Sequence, residues 1–261
     1  MKKSGYIILL ILVFANFANA QNNLAVYQSK IEKYRYSKYL DSTKIYFKKA
    51  LSIALKSKDS VTIFGLYKHM GDGYEQHQYQ DSTLMMYDIC DKFIPRGNLK
   101  LRAFLLNDRA YTLQLLHDYE GATALTLKAL RIAEKSGDNT QIANVSTSLA
   151  DGFSHLKMNK EAEKYYASAI KLSLASNNQN ILHQTYRYYA IHLIKNKKYD
   201  AAFINLQKAN KIALKIKDSI SMAYNWYNMM DCYWQKNQKD SCFYYAKKAE
   251  KIGKIGSKIL I

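Results

Sequence analysis

The sequence places an acidic residue beside a hydroxyl at three similar points, and these triplets are its first candidates for chemistry. The chain reads Asp-Ser-Thr from Asp41, Asp-Ser-Thr again forty residues later from Asp81, and Asp-Ser-Cys from Asp240. A recurring triplet of this kind could be one active site used three times. It could also be a structural signal, because Asp and Ser commonly cap the first turn of a helix. We expect the triplets to cap the second helix of their units. We also expect Asp or Ser to cap the next helix at three turns that basic residues precede, 56–60, 135–139 and 215–219.

The other residues that could do chemistry form no recognisable site. His-Glu-x-x-His and Gly-x-Ser-x-Gly are absent, and Gly71-Asp-Gly73 follows no predicted strand, so it does not indicate a nucleotide loop. The six histidines are scattered without the spacing of a metal-ligand set: His69, His77, His117, His155, His183 and His192. We therefore predict no catalytic residue, no metal site, no cofactor and no enzymatic activity.

A repeat of about forty residues organises the chain. A small residue, a mostly large residue four positions later and a small residue seven positions later recur six times, and this spacing puts all three on one helical face. The six copies begin at Thr43, Thr83, Ala122, Ala162, Ala202 and Cys242. Another recurring set of positions precedes each copy, in which mostly large residues flank a mostly small residue. Each unit is therefore predicted to be two helices joined by a short turn.

The second unit carries the pattern most clearly, in the residues Tyr67, Met70, Gly71, Tyr74, Thr83, Tyr87 and Cys90. They stand where the tetratricopeptide repeat (TPR) family has its large, Leu-Gly, Tyr, Ala, aromatic and Ala positions, and the chain resembles this family over about residues 24–258. The family's usual period is about 34 residues, so the longer period here predicts longer helices. The resemblance implies an all-α, TPR-like α-solenoid of six helix-turn-helix repeats, wound as a right-handed superhelix.

The predicted repeat domain covers residues 21–258. Its six repeats are expected at about 24–63, 64–102, 103–142, 143–182, 183–222 and 223–258. A short apolar tail, 259–261, follows. The abrupt apolar end suggests a truncated relative of a longer protein, or a tail that pairs with something else.

The first twenty residues are predicted to be a cleaved signal peptide. Lys2 and Lys3 precede the apolar run 6–14, and Ala18-Asn19-Ala20 fits a small-x-small cleavage site. The run is short for an uncleaved membrane anchor, which is the alternative. No cysteine follows it directly, so a lipid anchor is not expected. We expect an exported protein, periplasmic or secreted, that starts at Gln21.

Cys90, Cys232 and Cys242 are too few for a disulfide scaffold. Cys90 and Cys242 stand at small positions of the repeat, where we expect them to pack as small apolar side chains. Cys232 could approach Cys242 across the two helices of the last unit, and export would permit a disulfide there. We predict that no bridge forms.

The net charge of +18 raises the question of a nucleic acid or an anionic membrane as partner. The family resemblance implies that the first helix of each repeat lines a concave groove that binds partner segments. The groove-facing positions of these helices carry more acidic than basic residues, so the positive excess lies on the second helices and turns. This placement argues against nucleic acid. The basic outer helices could contact an anionic membrane surface weakly, or simply keep the protein soluble.

Aromatic and amide side chains in the groove suit recognition of a peptide. The predicted partner-binding residues are Lys68, Asn107, Tyr111, Asn144, Asp151, Arg187, Tyr188, Tyr227, Asn228, Asp231 and Trp234. We predict a non-enzymatic, exported TPR scaffold that binds a protein or peptide segment there. The alternative is a sensory or ligand-binding TPR module, related to the N-terminal part of a bacterial histidine-kinase or helix-turn-helix regulator and lacking its output domain.

Overall fold

Helices account for all of the regular secondary structure in the part of the chain that the computed structural model describes, residues 19–35, 37 and 39–259. The helices are α1 over residues 19–34, α2 Leu40–Ser57, α3 Ser60–Gln76, α4 Gln80–Lys92, α5 Leu99–Leu115, α6 Tyr119–Ser136, α7 Asn139–His155, α8 Asn159–Ala175, α9 Gln179–Lys195, α10 Tyr199–Lys215, α11 Ser219–Gln235 and α12 Lys239–Ile259. They form six successive helix pairs, which confirms the predicted all-α fold of six helix-turn-helix units. No described helix is both long and apolar enough to cross a membrane. The predicted signal peptide, 1–20, and apolar tail, 259–261, fall almost entirely outside the described residues and stay predictions.

The turns that lead into the first helices of the repeats carry the expected caps. The Asp59 carboxylate accepts hydrogen bonds from the backbone N–H groups of Val61 and Thr62, both at 3.1 Å, at the start of α3. Asp138 and Asp218 cap α7 and α11 in the same way. These side chains satisfy N–H groups that have no partner inside the helix, which explains why the helices begin there.

The acid–hydroxyl triplets do not cap the second helices, contrary to our expectation. The residue before α2 is Tyr39 and the residue before α4 is Tyr79, and neither side chain makes a capping bond. Asp41 and Asp81 lie inside the first turn instead. A carboxylate there faces the positive end of the helix dipole, so it stabilises the helix through charge rather than through a capping bond.

A residue with a left-handed backbone follows most helices, one or two positions after the last helical residue. Positive φ angles recur at intervals of 19 or 20 residues along the chain, at Lys58, Gln78, Gly97, His117, Gly137, Lys157, Asn177, Lys197, Lys217 and Asn237. A left-handed residue reverses the chain within a short turn and lets the next helix pack antiparallel to the last. The regular spacing gives the helices similar lengths.

Small residues of the repeat lie where neighbouring helices approach most closely. The first and last positions of the recurring trio are fully buried in the first five units, from Thr43 and Ala50 to Ala202 and Ala209. In α3, a Cβ atom at Gly71 would lie 2.6 Å from a ring carbon of Tyr87, so no larger side chain fits there. In the last unit Cys242 and Ala249 are only half-buried, since no described helix follows α12 to cover them.

The contacts divide the chain within α5 into two compact units, one that ends at Leu105 and one that begins at Leu106. From α6 to α12 each helix packs against the next one along the chain, and the first helices α7 and α9 also contact each other directly. First helices that lie side by side bring one face of each into a shared surface.

Candidate functional site

A cavity of about 360 Å³ lies in the second unit and is lined by α5, α7 and α9. We call it the α5–α7–α9 cavity. Five of its lining residues were predicted from the sequence: Asn107, Tyr111, Asn144, Asp151 and Tyr188. The other five are Asp108, Gln114, Thr147, Ser148 and Gln184. The structure therefore gathers about half of the predicted site residues into one place.

Helical spacing explains why each helix contributes several of these side chains. On α5, Asn107, Tyr111 and Gln114 are separated by four and three residues, which puts them on one face of the helix. Asn144, Ser148 and Asp151 follow the same spacing on α7. Because α5, α7 and α9 are the first helices of consecutive repeats, their equivalent faces meet at the cavity.

The lining is polar and acidic. It contains four carboxamide side chains, two of them Asn107 and Gln184, and two carboxylates, Asp108 and Asp151, but no Lys, Arg or His among its ten residues. This contrasts with the net charge of +18 for the whole chain. The cavity thus offers many hydrogen-bonding groups and two carboxyl groups within a basic protein.

Asn107 is the most deeply buried polar residue of the lining whose hydrogen bonding is incomplete. It is 6 % exposed, and its Oδ1 atom has no hydrogen-bond partner among the described residues. Leaving a buried acceptor unsatisfied costs about 1–3 kcal/mol. A donor from a bound molecule would remove this cost, so Asn107 indicates a binding role.

Asp151 lies at the α7 wall among other titratable groups. Burial raises the pKa of its carboxyl group, while His155, Lys195 and Arg187 act in the opposite direction. The His155 Nε2 atom lies 3.9 Å from Asp151 Oδ1, and burial lowers the pKa of this imidazole. Both groups therefore favour their neutral forms more than they would in water.

The α9 wall carries Tyr188, whose ring lies against a cation from its own helix. The Arg187 guanidinium carbon is 4.9 Å from the centre of the Tyr188 ring and 5.7 Å from that of Tyr224. Burial raises the pKa of the Tyr188 phenol. Behind this wall the hydroxyl of Tyr166 is buried without a hydrogen-bond partner in the described part of the chain.

The remaining predicted residues do not line this cavity. Lys68 belongs to the first unit and forms an ion pair with Asp72, whose other carboxylate oxygen is 2.9 Å from Arg35 Nη1. Arg187 borders the cavity through Tyr188 without lining it. Four residues of α11 also stay outside it: Tyr227, Asn228, Asp231 and Trp234. Tyr227 and Trp234 are 58 % and 66 % exposed, so they remain accessible on the next first helix.

Four lining residues escaped sequence reasoning: Gln114, Thr147, Ser148 and Gln184. Asp108 was recognised as an acidic groove position but not as a site residue. A signal was present, because Asn144 and Gln184 are exactly one repeat apart, as are Ser148 and Tyr188. Comparing equivalent positions across repeats would have placed all four beside residues already selected.

The described residues contain no cluster of three or more potential metal ligands. All three cysteines are free thiols, with Cys90 and Cys232 buried and Cys242 partly exposed. Burial, with a smaller contribution from Asp231, raises the pKa of the Cys232 thiol to about 12. A thiol with so high a pKa is a poor nucleophile at neutral pH.

No family model and no curated protein matches the chain. Solved structures do match it at low sequence identity. A signal transduction ATPase with numerous domains and a tetratricopeptide repeat sensor, from Pyrococcus horikoshii, is 17 % identical over 94 % of this chain and 38 % of its own, with a TM-score of 0.60. Aspartyl phosphate phosphatase F from Bacillus subtilis is 17 % identical over 88 % and 69 %, with a TM-score of 0.65. A Rap protein in complex with the competence and sporulation factor is 14 % identical over 90 % and 65 %, with a TM-score of 0.61.

These similarities establish the fold of the chain, a TPR-like α-solenoid. The chain spans about two thirds of the length of the two proteins last named and about two fifths of the first. At such low sequence identity the structural similarity shows a shared fold, and it does not show that this chain has the activity of those proteins.

Proposed function

We propose that the chain is a non-enzymatic, exported TPR scaffold that binds a protein or peptide segment in the α5–α7–α9 cavity. The observation that carries this proposal is the convergence of amide, carboxylate and aromatic side chains from three successive first helices on one cavity. The partnerless Oδ1 atom of Asn107 gives that cavity an unmet hydrogen-bonding requirement. An extended segment supplies backbone donors and acceptors at regular intervals, which suits a row of amide side chains.

The comparison with solved structures supports a protein-binding role without specifying it. One similar structure holds a Rap protein in complex with the competence and sporulation factor. The phosphatase activity named for another belongs to that protein, and we do not extend it to this chain. The regular spacing of the left-handed residues supports a repeat of about forty residues, the longer-period type.

Site-specific photo-crosslinking tests the proposal. A benzoylphenylalanine in place of Tyr111 would put a photo-reactive group at the cavity, where Tyr111 is 43 % exposed. The same group in place of Ile204, 52 % exposed on α10, is the matched control. After irradiation of cells, we expect mass spectrometry to identify one covalently attached protein or peptide with the group at position 111 and not at 204.

The same products at both positions, or none at position 111, would contradict binding at the cavity. This outcome does not depend on knowing the partner beforehand, because the covalent bond retains it through purification.

A sensory module is the second candidate, and one similarity favours it. The Pyrococcus horikoshii protein carries its repeats as a sensor within a longer chain. In that case the cavity would bind a signal molecule, and the crosslinked species would be a small ligand instead of a protein.

A further inference from the structure

The last helix pair leaves apolar side chains in solvent at positions that the preceding pair covers. Phe243 on α12 is 62 % exposed, whereas Phe203, one repeat earlier on α10, is half-buried. Cys242 is half-buried, whereas its equivalent Ala202 is fully buried. We call the side of α12 that carries Cys242 and Phe243 the α12 end face. No described helix packs on it.

Phe203 shows what this repeat position contacts when another helix pair follows. The centre of its ring lies 5.2 Å from that of Tyr233 on α11 and 5.9 Å from that of Tyr245 on α12, both in edge-to-face arrangements. The two tyrosines stack on each other, with ring centres 5.6 Å apart and an interplanar angle of 9°. The phenylalanine therefore packs against a stacked pair to which both helices of the next repeat contribute.

The first helix pair carries the same stacked pair. Tyr34 on α1 and Tyr46 on α2 occupy the repeat positions of Tyr233 and Tyr245, and only the first and last units have tyrosine at both positions. The ring centres of Tyr34 and Tyr46 are 6.0 Å apart, and their interplanar angle is again 9°. The first unit thus offers the aromatic surface that a phenylalanine at position 243 lacks within its own chain.

Val26 on α1 belongs to the same surface. It is 50 % exposed, and its equivalent on α11 is Asn225, which is fully buried. The Asn225 Nδ2 atom lies 3.2 Å from His183 Nε2 on α9, so this position faces the preceding repeat. We call the surface formed by Val26, Tyr34 and Tyr46 the α1–α2 end face.

We infer that the α12 end face of one molecule binds the α1–α2 end face of a second copy of this chain. The contact would continue the interface through which Phe203 packs against α11 and α12, with Phe243 against the stacked tyrosines of the second copy. Because the two faces differ, the association is head-to-tail. None of these residues lines the α5–α7–α9 cavity, so the inference does not depend on what that cavity binds.

Lysines border both end faces and predict how salt affects the association. The Lys30 ammonium lies 4.6 Å from the centre of the Tyr46 ring, and the Lys247 ammonium lies 4.4 Å from that of Phe243. Lysine can lay its methylene groups on an apolar contact while its charge stays in water. The like charges repel each other, and salt screens this repulsion. We expect sodium chloride to leave the association unchanged or to strengthen it, and weakening would contradict direct contact between these faces.

Sedimentation velocity on the purified chain tests the inference. We expect the average mass of wild type to rise over an about hundredfold range of concentration, because association follows mass action. Phe243→Asp and Val26→Asp each put a carboxylate on one end face, and each should raise the dissociation constant about tenfold or more. Both positions are exposed, so the melting temperature should not change. Ile204→Asp, at a position 52 % exposed on α10, is the control and should associate like wild type.

Mixing the two variants identifies the faces. Phe243→Asp keeps only the α1–α2 end face and Val26→Asp keeps only the α12 end face, so the mixture should form a one-to-one complex and nothing larger. Association of Val26→Asp by itself would mean that two α12 end faces pair, and would overturn the head-to-tail contact. Wild type that stays monomeric, or a mixture without the complex, would also overturn it.

The free thiol of Cys242 reports on the contact directly. The other two cysteines are buried, and Cys242 is partly exposed on the α12 end face. Relative to each variant alone, iodoacetamide should modify Cys242 more slowly in the mixture for the Val26→Asp chain and at an unchanged rate for the Phe243→Asp chain. Mass spectrometry of the modified peptides distinguishes the two chains. Unchanged rates in both would show that the complex forms through another surface.

Discussion

At the residue scale, Asn107 combines deep burial with an unmet hydrogen bond. A buried acceptor without a partner destabilises the fold, and such a residue persists where function requires it. The sequence pointed to this position as a groove residue. That its oxygen would be buried without a hydrogen-bond partner among the described residues became evident only from the structure.

Replacing Asn107 with leucine should make the protein more stable and less able to bind. Leucine has the same branching as asparagine and removes the unsatisfied acceptor, so we expect the free energy of unfolding to rise by about 1 kcal/mol in urea denaturation. The control is Asn205→Leu on α10, where the amide already donates a hydrogen bond to the Ala201 carbonyl oxygen at 2.8 Å. A lower stability for Asn107→Leu, or an equal gain for the control, would show that the unsatisfied oxygen of Asn107 does not destabilise the fold.

His192 predicts how the second unit responds to acid. Its side chain is completely buried, its Nδ1 atom lies 2.8 Å from Ser154 Oγ, and burial lowers its pKa. Burial also lowers the pKa of His183 and His155. The unfolded chain therefore takes up protons more readily than the folded one. The stability that these neutral histidines contribute is complete above the ordinary histidine pKa and is lost as pH falls through the folded pKa values.

We expect the melting temperature to fall from pH 7.5 to pH 5.5, and to fall less for His192→Gln, because glutamine cannot be protonated. The raised pKa of Asp151 has the opposite sign, since it favours the folded state at low pH and loses that contribution as pH rises. Because wild type and variant both contain Asp151, the difference between their pH profiles does not include its contribution. Parallel pH profiles for the two proteins would show that His192 is not a source of the acid sensitivity.

At the element scale, two acidic residues that look alike in sequence act differently at helix starts. Asp59 accepts two backbone hydrogen bonds and a third from the Thr62 hydroxyl at 2.6 Å, and the bond from this hydroxyl is the main cause of its lowered pKa. Asp41 is inside α2 and forms an ion pair with Lys44, at 3.2 Å on the surface. One is a cap and the other is a charge near a helix end.

Alanine substitution should separate these roles. We expect Asp59→Ala to lower the free energy of unfolding by about 1 kcal/mol through loss of the cap. Asp41→Ala should cost about 0.5 kcal/mol or less, since only a surface pair and a dipole interaction are lost. Equal losses in urea denaturation would contradict the distinction, and a larger loss for Asp41 would restore its role as a cap.

The periodicity of the helices is the part of the fold that sequence reasoning predicted well. The recurring trio, with small residues seven positions apart and a mostly large residue between them, identified the packed face of each second helix, and ten of the small positions are fully buried. Helix starts were predicted correctly where an Asp precedes the helix, as at Asp59 and Asp138, and wrongly at Asp41 and Asp81. A difference of one or two residues changes a cap into a first-turn residue, and sequence patterns do not resolve boundaries that finely.

At the scale of the whole molecule, charge is distributed unevenly. The chain carries a net charge of +18, yet the lining of the α5–α7–α9 cavity includes two aspartates and no Lys, Arg or His. We predict that the positive excess lies on the Lys-rich second helices and turns, outside this cavity.

Export is a prediction for the whole molecule, based on residues 1–20. We expect protein recovered from the cell envelope or medium to begin at Gln21, as measured by N-terminal sequencing and intact mass. Such cleavage would remove only the first two residues of α1 as described, 19 and 20. An intact N-terminus, or recovery from the cytoplasm alone, would contradict the signal peptide.

By itself, the sequence determined the all-helical architecture, the number of helix pairs and the face that each second helix buries. These features depend on local spacing, because residues three, four and seven apart share a helical face whatever surrounds them. The tertiary structure decided which groove residues meet. Asn107, Asn144 and Tyr188 line one cavity while Tyr227 and Trp234 do not, since the outcome depends on how α5, α7 and α9 are rotated and spaced against each other. That geometry arises from packing between residues forty and eighty positions apart, which the spacing within one helix does not encode.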